Sequence, residues 1–398
     1  MRATWGPSTQ AMAVAGATGA GQVLTAVMYA VAARLSGPEV FGAIASAVSA
    51  GSLVAGLADF GSNEYLTREL ATGRLKNAQF CTRARSKLLL GGVWAVFVGL
   101  ALYTLWPVSM LWFAALPGFS VLLLQTLQTY FRGRLRSEIV AFTTLLDRLL
   151  AAGCFLLLIE FGIGASWALG ISIVVGDFIA AAACRLLAQD GWKLSGSCRN
   201  WDNPWRGAGF YGFASSSNSL RALDVTLVGV FSSVSQAGVY ASVNKWTAPM
   251  SLLVFAFAST AAPYFAQSQG IRGSLSTVRR GLWMPLIALI FASLGVAFAP
   301  AVVKVVLGSE YSESAEVLRV LFLATIPSMA NQIAATLMQS QGMDKEIAFL
   351  SVPSALVQLG LILALCPTFG ATGGALASLF SEVLLLVGIV FVIWRRRL

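Results

Sequence analysis

The sequence predicts an all-α membrane protein, and three observations lead to that prediction. The 398-residue chain is 57% hydrophobic and only 11% charged, whereas a soluble domain carries about 25% charged residues. Its apolar residues come in runs of about twenty, the length that crosses the hydrocarbon core as a helix. Its basic residues fall mainly in alternate loops between those runs. A helix satisfies its own backbone hydrogen bonds, which lipid cannot do, so each run is predicted as a helical span.

The apolar runs predict about twelve transmembrane helices. The predicted spans lie at 11–33, 40–60, 88–106, 108–130, 138–161, 165–187, 208–231, 237–266, 281–306, 316–340, 346–366 and 371–394. Only Trp106 and Pro107 separate the third span from the fourth. Proline suits such a tight turn because it has no backbone N–H to donate.

The distribution of Lys and Arg predicts the orientation of the chain. Most of the 27 basic residues fall in one set of loops and in the C-terminal tail, while the opposite loops carry essentially only Arg34. Because cytoplasmic loops are enriched in Lys and Arg, both termini are predicted to lie on the cytoplasmic side of an inner (plasma) membrane. The net charge of +10 then reflects orientation and contact with anionic lipid headgroups, and we expect no nucleic acid as a partner.

The content of cysteine and histidine limits the chemistry of the chain. The sequence has five cysteines, none in a CxxC pair, and no histidine. We therefore expect no structural zinc site. A catalytic Cys–His pair within one chain is excluded. We expect no cofactor and no metal, and the chain is not predicted to be an enzyme.

Short internal repeats predict that the chain consists of two halves. The segment at 42–46 resembles that at 238–242, and Phe-Gly at 161–162 resembles Phe-Gly at 369–370. The predicted domains are an N-terminal six-helix bundle at 1–187, a cytoplasmic linker at 188–207 and a C-terminal six-helix bundle at 208–398. With six spans in each half, such repeats are related by an axis along the membrane normal.

Three stretches resemble one family of transporters. They are Leu35–Gly42 followed by Leu57–Gly61 and Thr67–Leu70; Leu307–Tyr311 with Ser314–Arg319; and Phe369–Ala377 with Ser381 and Glu382. In this order they resemble the polysaccharide-unit flippases (Wzx-type, for O-antigen or exopolysaccharide repeat units) of the multidrug/oligosaccharidyl-lipid/polysaccharide exporter superfamily.

The resemblance implies a fold, a mechanism and a substrate. The fold would be MATE-like, with two six-helix bundles forming a V around a central cavity. The protein would work by alternating access and move isoprenoid-pyrophosphate-linked oligosaccharide units to the outer leaflet for surface polysaccharide synthesis, such as that of lipopolysaccharide. The lipid-linked oligosaccharide and membrane lipids are then the expected partners, with other polysaccharide-assembly membrane proteins as further candidates.

Two other functions are compatible with part of the pattern. A cation-coupled exporter of drugs or other small molecules, from the same superfamily, is the first alternative; it would be expected to rely on acidic cavity residues. A glycan polymerase or other membrane glycosyl enzyme is the second. Such an enzyme needs a large outer loop with catalytic carboxylates or arginines, whereas the outer loops here are short and nearly free of charge.

The seventh predicted span carries the most informative polar residues. Ser217, Arg221 and Asp224 are spaced by four and three residues, which on a helix places them on one face, with Asn218 at its edge. This pattern predicts a polar stripe lining the cavity. The alternative is an Arg221–Asp224 pair that merely neutralises itself. In the first span, Gln22 belongs to a similar stripe, which could equally serve ordinary helix–helix hydrogen bonding.

Other charged residues within spans are further candidates, because charge inside a membrane is costly and tends to face a cavity or a partner. Lys245 could bind a pyrophosphate or pair with a carboxylate. Asp147 and Arg148 are adjacent and would point about 100° apart, so one is expected to face the cavity and the other a neighbouring helix. Asp177 and Glu382 could carry a coupling proton or cation, or pair with Arg148 or Lys245.

Two residues near the second and third spans are given structural interpretations. Asp59 lies at the cytoplasmic end of the second span, where it is interpreted as a cap or turn residue. Lys87 precedes the third span and is assigned to a cytoplasmic loop.

Overall fold

In the computed structural model of the chain, every described secondary-structure element is helical. The structure describes residues 7–105, 110–188, 201–252, 254, 258 and 283–395. The α-helices are α1 (Pro7–Asp59), α2 (Ser62–Ala71), α3 (Asn77–Leu105), α4 (Ala115–Gly133), α5 (Ser137–Glu160), α6 (Ala165–Leu187), α7 (Gly209–Arg221), α8 (Asp224–Phe231), α9 (Val234–Asn244), α10 (Trp283–Val306), α11 (Ser314–Ser340) and α12 (Asp344–Arg395). Short 3₁₀ turns lie at Met110–Ala114, Lys245–Thr247 and Ser309–Tyr311.

The longest helices, α1 and α12, each reverse direction at one glycine. Gly37 has φ 74° and Gly370 has φ 56°, a backbone conformation that glycine adopts without steric penalty. The rings of Tyr29 and Phe41 lie 5.8 Å apart, although twelve residues of straight helix would separate them by about 18 Å. Each helix is therefore a hairpin of two spans, as the sequence predicts for 11–33 with 40–60 and for 346–366 with 371–394.

The length and composition of the helices fit a multi-pass membrane protein. Eight described helices are long and apolar enough to cross a membrane. Two of these, Met12–Asp59 with 48 residues and Lys345–Arg395 with 51, are long enough for two crossings, since one crossing takes about 20 residues. The predicted eighth span, 237–266, lies partly outside the described residues.

The chain forms two compact units, an N-terminal unit at Met1–Thr226 and a C-terminal unit at Leu227–Leu398. The boundary between them falls within α8. The domain division predicted from sequence, with a linker at 188–207, stays a prediction; residues 189–200 lie outside the described part of the chain.

In each unit, a side chain near a turn between two helices accepts a hydrogen bond from a backbone N–H at the start of a later helical segment. In the N-terminal unit, the Ser36 hydroxyl oxygen accepts a hydrogen bond from the backbone N–H of Ser166, at the start of α6, at 3.0 Å. In the C-terminal unit, Gln236 Oε1 accepts from the backbone N–H of Ala371, just after the α12 turn, at 2.7 Å. In both cases a side chain satisfies one of the free N–H groups at a helix start.

Candidate functional site

The predicted seventh span is interrupted at its centre. Helix α7 ends at Arg221 and α8 begins at Asp224, and the backbone between them turns with Leu223 N–H donating to the Leu220 carbonyl at 3.1 Å. The prediction that Ser217, Arg221 and Asp224 share one face of a continuous helix is therefore wrong for Asp224. The side chain of Asn218 lies outside the described residues.

Contact with α1 explains the interruption. The Ser49 hydroxyl donates to the carbonyl of Ala222 at 2.5 Å, so this carbonyl is taken up by a side chain. The Thr226 hydroxyl donates to the Ser46 carbonyl at 2.8 Å. Gly56 leaves room for Ser219, which lies directly against it. Small residues allow two helices to approach closely in a membrane, and here they hold α7 and the start of α8 on the second half of α1.

Arg221 and Asp224 thus flank a turn in the N-terminal unit. Both are partly buried, and Ser217 is buried. Asp224 Oδ1 accepts a hydrogen bond from the backbone N–H of Val225 at 2.7 Å. Arginine keeps its charge when poorly solvated, so a partly buried guanidinium beside a helix break is suited to bind an anion or a carboxylate.

A second polar group lies where α4, α5 and α6 meet. Asp147 and Asp177 are each only 1% exposed. Arg148 Nε lies 3.1 Å from Asp147 Oδ2, and the Ser120 hydroxyl donates to Asp177 Oδ2 at 2.7 Å. Helices α5 and α6 approach closely here: a Cβ at Gly176 would lie 2.7 Å from the Asp147 carbonyl oxygen.

These contacts correct two expectations. Asp147 and Arg148 do not act on separate partners but pair with each other, because the long arginine side chain bends back to its neighbour. The Asp177 carboxylate accepts its hydrogen bond from the neutral hydroxyl of Ser120 rather than from Arg148.

Helix α1 packs against the same region through Gly21. A Cβ at Gly21 would lie 2.7 Å from Arg148 Cγ, so the arginine stem packs directly on α1. Gln22 Oε1 and Asp147 Oδ1 are both buried acceptors without a hydrogen-bond donor from the described residues. An unsatisfied buried polar group costs about 1–3 kcal/mol, so a proton, a water molecule or a ligand donor would stabilise each of these two atoms.

In the C-terminal unit, α11 and α12 hold the remaining predicted acid. Asn331 Nδ2 donates to Glu382 Oε2 at 2.7 Å and to the Glu382 carbonyl at 2.8 Å. Lys245 begins the 3₁₀ turn after α9 and is exposed. The Lys245 side chain therefore lies at a surface of this unit.

Sequence reasoning missed a buried ionic network around Lys87. The Lys87 side chain is 0% exposed and its Nζ lies 2.9 Å from Asp59 Oδ1. Lys87 Nζ also donates to Asn63 Oδ1 at 2.5 Å, and the Thr129 hydroxyl donates to the same oxygen at 2.9 Å. Lys87 is thus not a loop residue, and Asp59 acts as its counter-ion, while also accepting from the Asn63 N–H at 3.2 Å.

A signal for this network was present in the sequence. Helix α3 begins at Asn77, about three turns before the apolar run. Phe80, Ala84, Lys87 and Gly91 are all buried and follow the spacing of one helix face. A lysine in that register belongs to the packed side of the helix rather than to a loop.

Two acids outside the spans, Glu64 and Asp202, have shifted pKa values. Burial raises the pKa of Glu64, the Asp59 carboxylate raises it further, and Arg132 opposes both. The hydrogen bond from Arg83 lowers the pKa of Asp202; Arg83 Nε lies 2.7 Å from Asp202 Oδ2. Among the described residues no three His, Cys, Asp or Glu side chains converge to hold a metal.

Several solved structures share the fold. An inward-facing multidrug resistance MATE family transporter of the MOP superfamily matches with a TM-score of 0.70 and 14% identity, over 96% of this chain and 97% of that one. Its outward-facing conformation matches with a TM-score of 0.60 and 14% identity, over 98% and 95%. A MOP superfamily transporter from Pyrococcus furiosus matches with a TM-score of 0.55 and 16% identity, over 98% of both chains. The fold is therefore that of the MATE transporters, which confirms the predicted fold class.

Sequence comparison identifies the family. No curated protein matches the chain. The family model described as polysaccharide biosynthesis protein matches residues 10–269, which is more than half of the chain. Family and fold both match transporters rather than enzymes. The chain therefore belongs to the polysaccharide biosynthesis protein family, as the resemblance of its motifs predicts, and it shares its fold with solved transporters of the MOP superfamily.

Proposed function

We propose that this protein is an alternating-access flippase that moves isoprenoid-pyrophosphate-linked oligosaccharide units from the cytoplasmic to the outer leaflet of the inner membrane. The observation that carries the proposal is the match to the polysaccharide biosynthesis family over residues 10–269 of a chain with a transporter fold. Both termini would lie in the cytoplasm, and the exported units would serve surface polysaccharide synthesis.

The proposed substrate-binding residues have chemistry that suits such a molecule. Arg221 would bind the pyrophosphate, since a guanidinium binds phosphate oxygens in a two-pronged geometry. Lys245 would supply a second positive charge. The side chains that can bind sugar hydroxyls or orient the arginines are Ser217, Asn218, Asp224, Gln22, Asp147 and Arg148.

Asp177 and Glu382 are proposed as the residues through which a proton or cation gradient would drive transport. Asp177 lies in the sixth predicted span and Glu382 in the twelfth, and each accepts a hydrogen bond from a neutral side chain. Loss of the gradient dependence in Asp177→Asn or Glu382→Gln, with transport down a substrate gradient retained, would support this role. Retention of full gradient dependence in both variants would contradict it.

The proposal is tested by transport in vesicles. The purified protein is reconstituted with a fluorescent lipid-linked oligosaccharide, and the sugar that reaches the opposite leaflet is measured by its accessibility to a glycosidase added outside. We expect wild-type protein to expose the sugar much faster than protein-free vesicles. Export of a cationic dye against a proton gradient, without any movement of the sugar lipid, would favour a drug exporter instead.

Arg221 variants sharpen this test. Arg221→Ala should abolish sugar movement while the protein remains folded, and Arg221→Lys should retain part of it because the charge stays while the two-pronged geometry is lost. Arg319→Ala is the matched control, since Arg319 lies at the surface of α11 paired with Glu316 at 3.2 Å. Full transport by a well-folded Arg221→Ala/Asp224→Ala double variant would exclude Arg221 from substrate binding.

A further inference from the structure

An apolar groove runs along the outer wall of the N-terminal unit near the end that carries α2. Its volume is about 500 Å³, and it is lined by Leu57 of α1, by Leu90, Val93, Trp94 and Phe97 of α3, and by Trp205. Val93 is 68% exposed, so the groove opens outward. In a membrane protein this outward side faces the hydrocarbon of the bilayer.

The floor of the groove is closed toward the interior of the unit. Ala58 and Gly91 form this floor, and Leu122 of α4 packs directly behind Gly91. Ala58 and Leu122 belong to one buried cluster, against which Trp94 packs. An occupant therefore reaches the groove from the bilayer and not through the bundle interior.

The segment that precedes α7 forms one wall of the groove, through Trp205, and is held there by several hydrogen bonds. Trp205 Nε1 donates to the Ala58 carbonyl at 3.1 Å, and the Ser62 hydroxyl donates to the Pro204 carbonyl at 3.0 Å. Arg83 binds Asp202 at 2.7 Å and donates to the Arg206 carbonyl at 3.2 Å. The Trp205 ring is thus a fixed wall of the groove.

The charge at this end of the groove is positive. Asp202 is neutralised by Arg83. Arg206 follows Trp205 directly and is exposed, and Trp201 in the same segment is 61% exposed. Exposed tryptophans are typical of the level of lipid headgroups, where a basic side chain attracts anionic lipids. An apolar groove whose wall residue Trp205 is followed directly by an exposed arginine is complementary to a lipid with an apolar chain and an anionic headgroup.

We propose that this groove binds an anionic phospholipid of the bilayer, with one acyl chain against Val93 and Phe97 and its phosphate at Arg206. Because the groove is closed toward the interior, the occupant is a resident membrane lipid rather than the transported molecule. The bound lipid would contact Trp205, and so would stabilise the segment that leads into α7.

Native mass spectrometry of the full-length protein in a mild detergent tests the proposal, with phosphatidylglycerol and phosphatidylethanolamine added in equal amounts. We expect wild type to retain phosphatidylglycerol preferentially. Arg206→Gln should weaken this retention about fivefold, the effect of the roughly 1 kcal/mol that one basic residue contributes beside anionic lipid. Arg74→Gln, a change at an exposed arginine outside the groove, should leave it unchanged.

Filling the groove gives an independent test. Val93→Trp and, separately, Leu90→Trp should lose the bound lipid, whereas Leu156→Trp, on a 64% exposed position of α5, should retain it. Retention equal to wild type in both groove variants would overturn the proposal, as would equal retention of the two lipids by wild type. Displacement of phosphatidylglycerol by an isoprenoid phosphate at equal concentration would assign the groove to the transported lipid instead.

Discussion

Each unit contains a membrane-span acid that accepts a hydrogen bond from a neutral side chain, but the surroundings of the two acids differ. Asp177 of α6 accepts a hydrogen bond of 2.7 Å from Ser120 of α4, and Glu382 of α12 accepts one of 2.7 Å from Asn331 of α11. Asp177, however, is 1% exposed and adjoins Gly176, which packs on Asp147, whereas Glu382 is only partly buried. The two acids thus each have a neutral hydrogen-bond donor but differ in burial and in the charged groups that surround them.

The N-terminal unit also contains two ion pairs that are at least partly buried among its helices, Lys87–Asp59 and Arg148–Asp147. A buried pair is costly to form, and removing one partner leaves a buried charge without compensation. The N-terminal unit should therefore be the more sensitive to single changes of charge. Four predictions, from the largest expected effect to the smallest, test this difference.

The largest effect is expected for Lys87→Met. The change leaves the carboxylate of Asp59 buried without its counter-ion, which should lower the free energy of unfolding by about 3–5 kcal/mol. Thermal unfolding of the purified protein measures the loss, and Asp59→Asn/Lys87→Met should recover most of it. Lys304→Met, at an exposed lysine of α10, is the control. Equal unfolding temperatures for Lys87→Met and Lys304→Met would refute the importance of the network.

A smaller loss is expected for Arg148→Met. Because Arg148 is 28% exposed, water can compensate part of the charge left on Asp147. We therefore expect the free energy of unfolding to fall by about 3 kcal/mol, the lower end of the range for a broken buried ion pair. The same unfolding measurement applies, with Asp147→Asn/Arg148→Met as the neutralised comparison. If the double variant is no more stable than Arg148→Met, the pair does not account for the effect.

Removing the neutral donors compares the two acids directly. Ser120→Ala should lower the free energy of unfolding by about 1.5–3 kcal/mol, the range for a hydrogen bond to a charged group. Water cannot replace the lost hydroxyl beside the buried Asp177. Asn331→Ala should cost less, since Glu382 is partly accessible. Ser172→Ala controls for the serine change, because Ser172 is buried but its hydroxyl donates to the Leu169 carbonyl of its own helix. A larger loss for Asn331→Ala than for Ser120→Ala would reverse the comparison.

The smallest effect is expected for Asp202→Asn, outside the spans. Arg83 lowers the pKa of Asp202 in the folded protein. The ion pair therefore stabilises the fold fully above the pKa of an aspartate in the unfolded chain, about 4. This stabilisation is lost as the pH falls through the lower pKa that Asp202 has in the folded protein. For a solvent-screened pair the loss at neutral pH should stay below about 1 kcal/mol. Unfolding of wild type and variant from neutral to acidic pH measures it, and their difference should vanish at low pH. A difference that persists there would show that the carboxylate charge is not responsible.

The sequence predicts the elements of this fold well where apolar runs end at strong turn residues. The sixth span, predicted at 165–187, is α6 (Ala165–Leu187), since Gly162 and Gly164 end the preceding run. The start of α3 was missed by about three turns, because residues 77–87 form an amphipathic rather than an apolar helix. The break after Arg221 was also missed. It depends on Ser49 binding the Ala222 carbonyl, a contact between residues far apart in the chain.

The candidate site was less predictable than the fold. Burial of Asp147 and Asp177 follows from their position within apolar spans, but their partners do not. Ser120 lies 57 residues from Asp177, and Lys87 lies 28 residues from Asp59. Such pairs form where separate helices pack together, and the spacing of residues within one helix does not predict them. The pairing of Arg148 with its immediate neighbour depends on the side-chain rotamer of the arginine, which residue spacing does not predict either.

The reversals at Gly37 and Gly370 have a consequence for how the chain enters the membrane. In both hairpins a single glycine makes the turn, so almost no hydrophilic loop has to be carried across the lipid during synthesis. We expect the residues of α1 to leave the translocation machinery as one preformed pair of helices, inserted together rather than one after the other. A polar tag inserted at position 37 would separate the two halves of α1, so that insertion of the hairpin would require a hydrophilic loop to cross the bilayer.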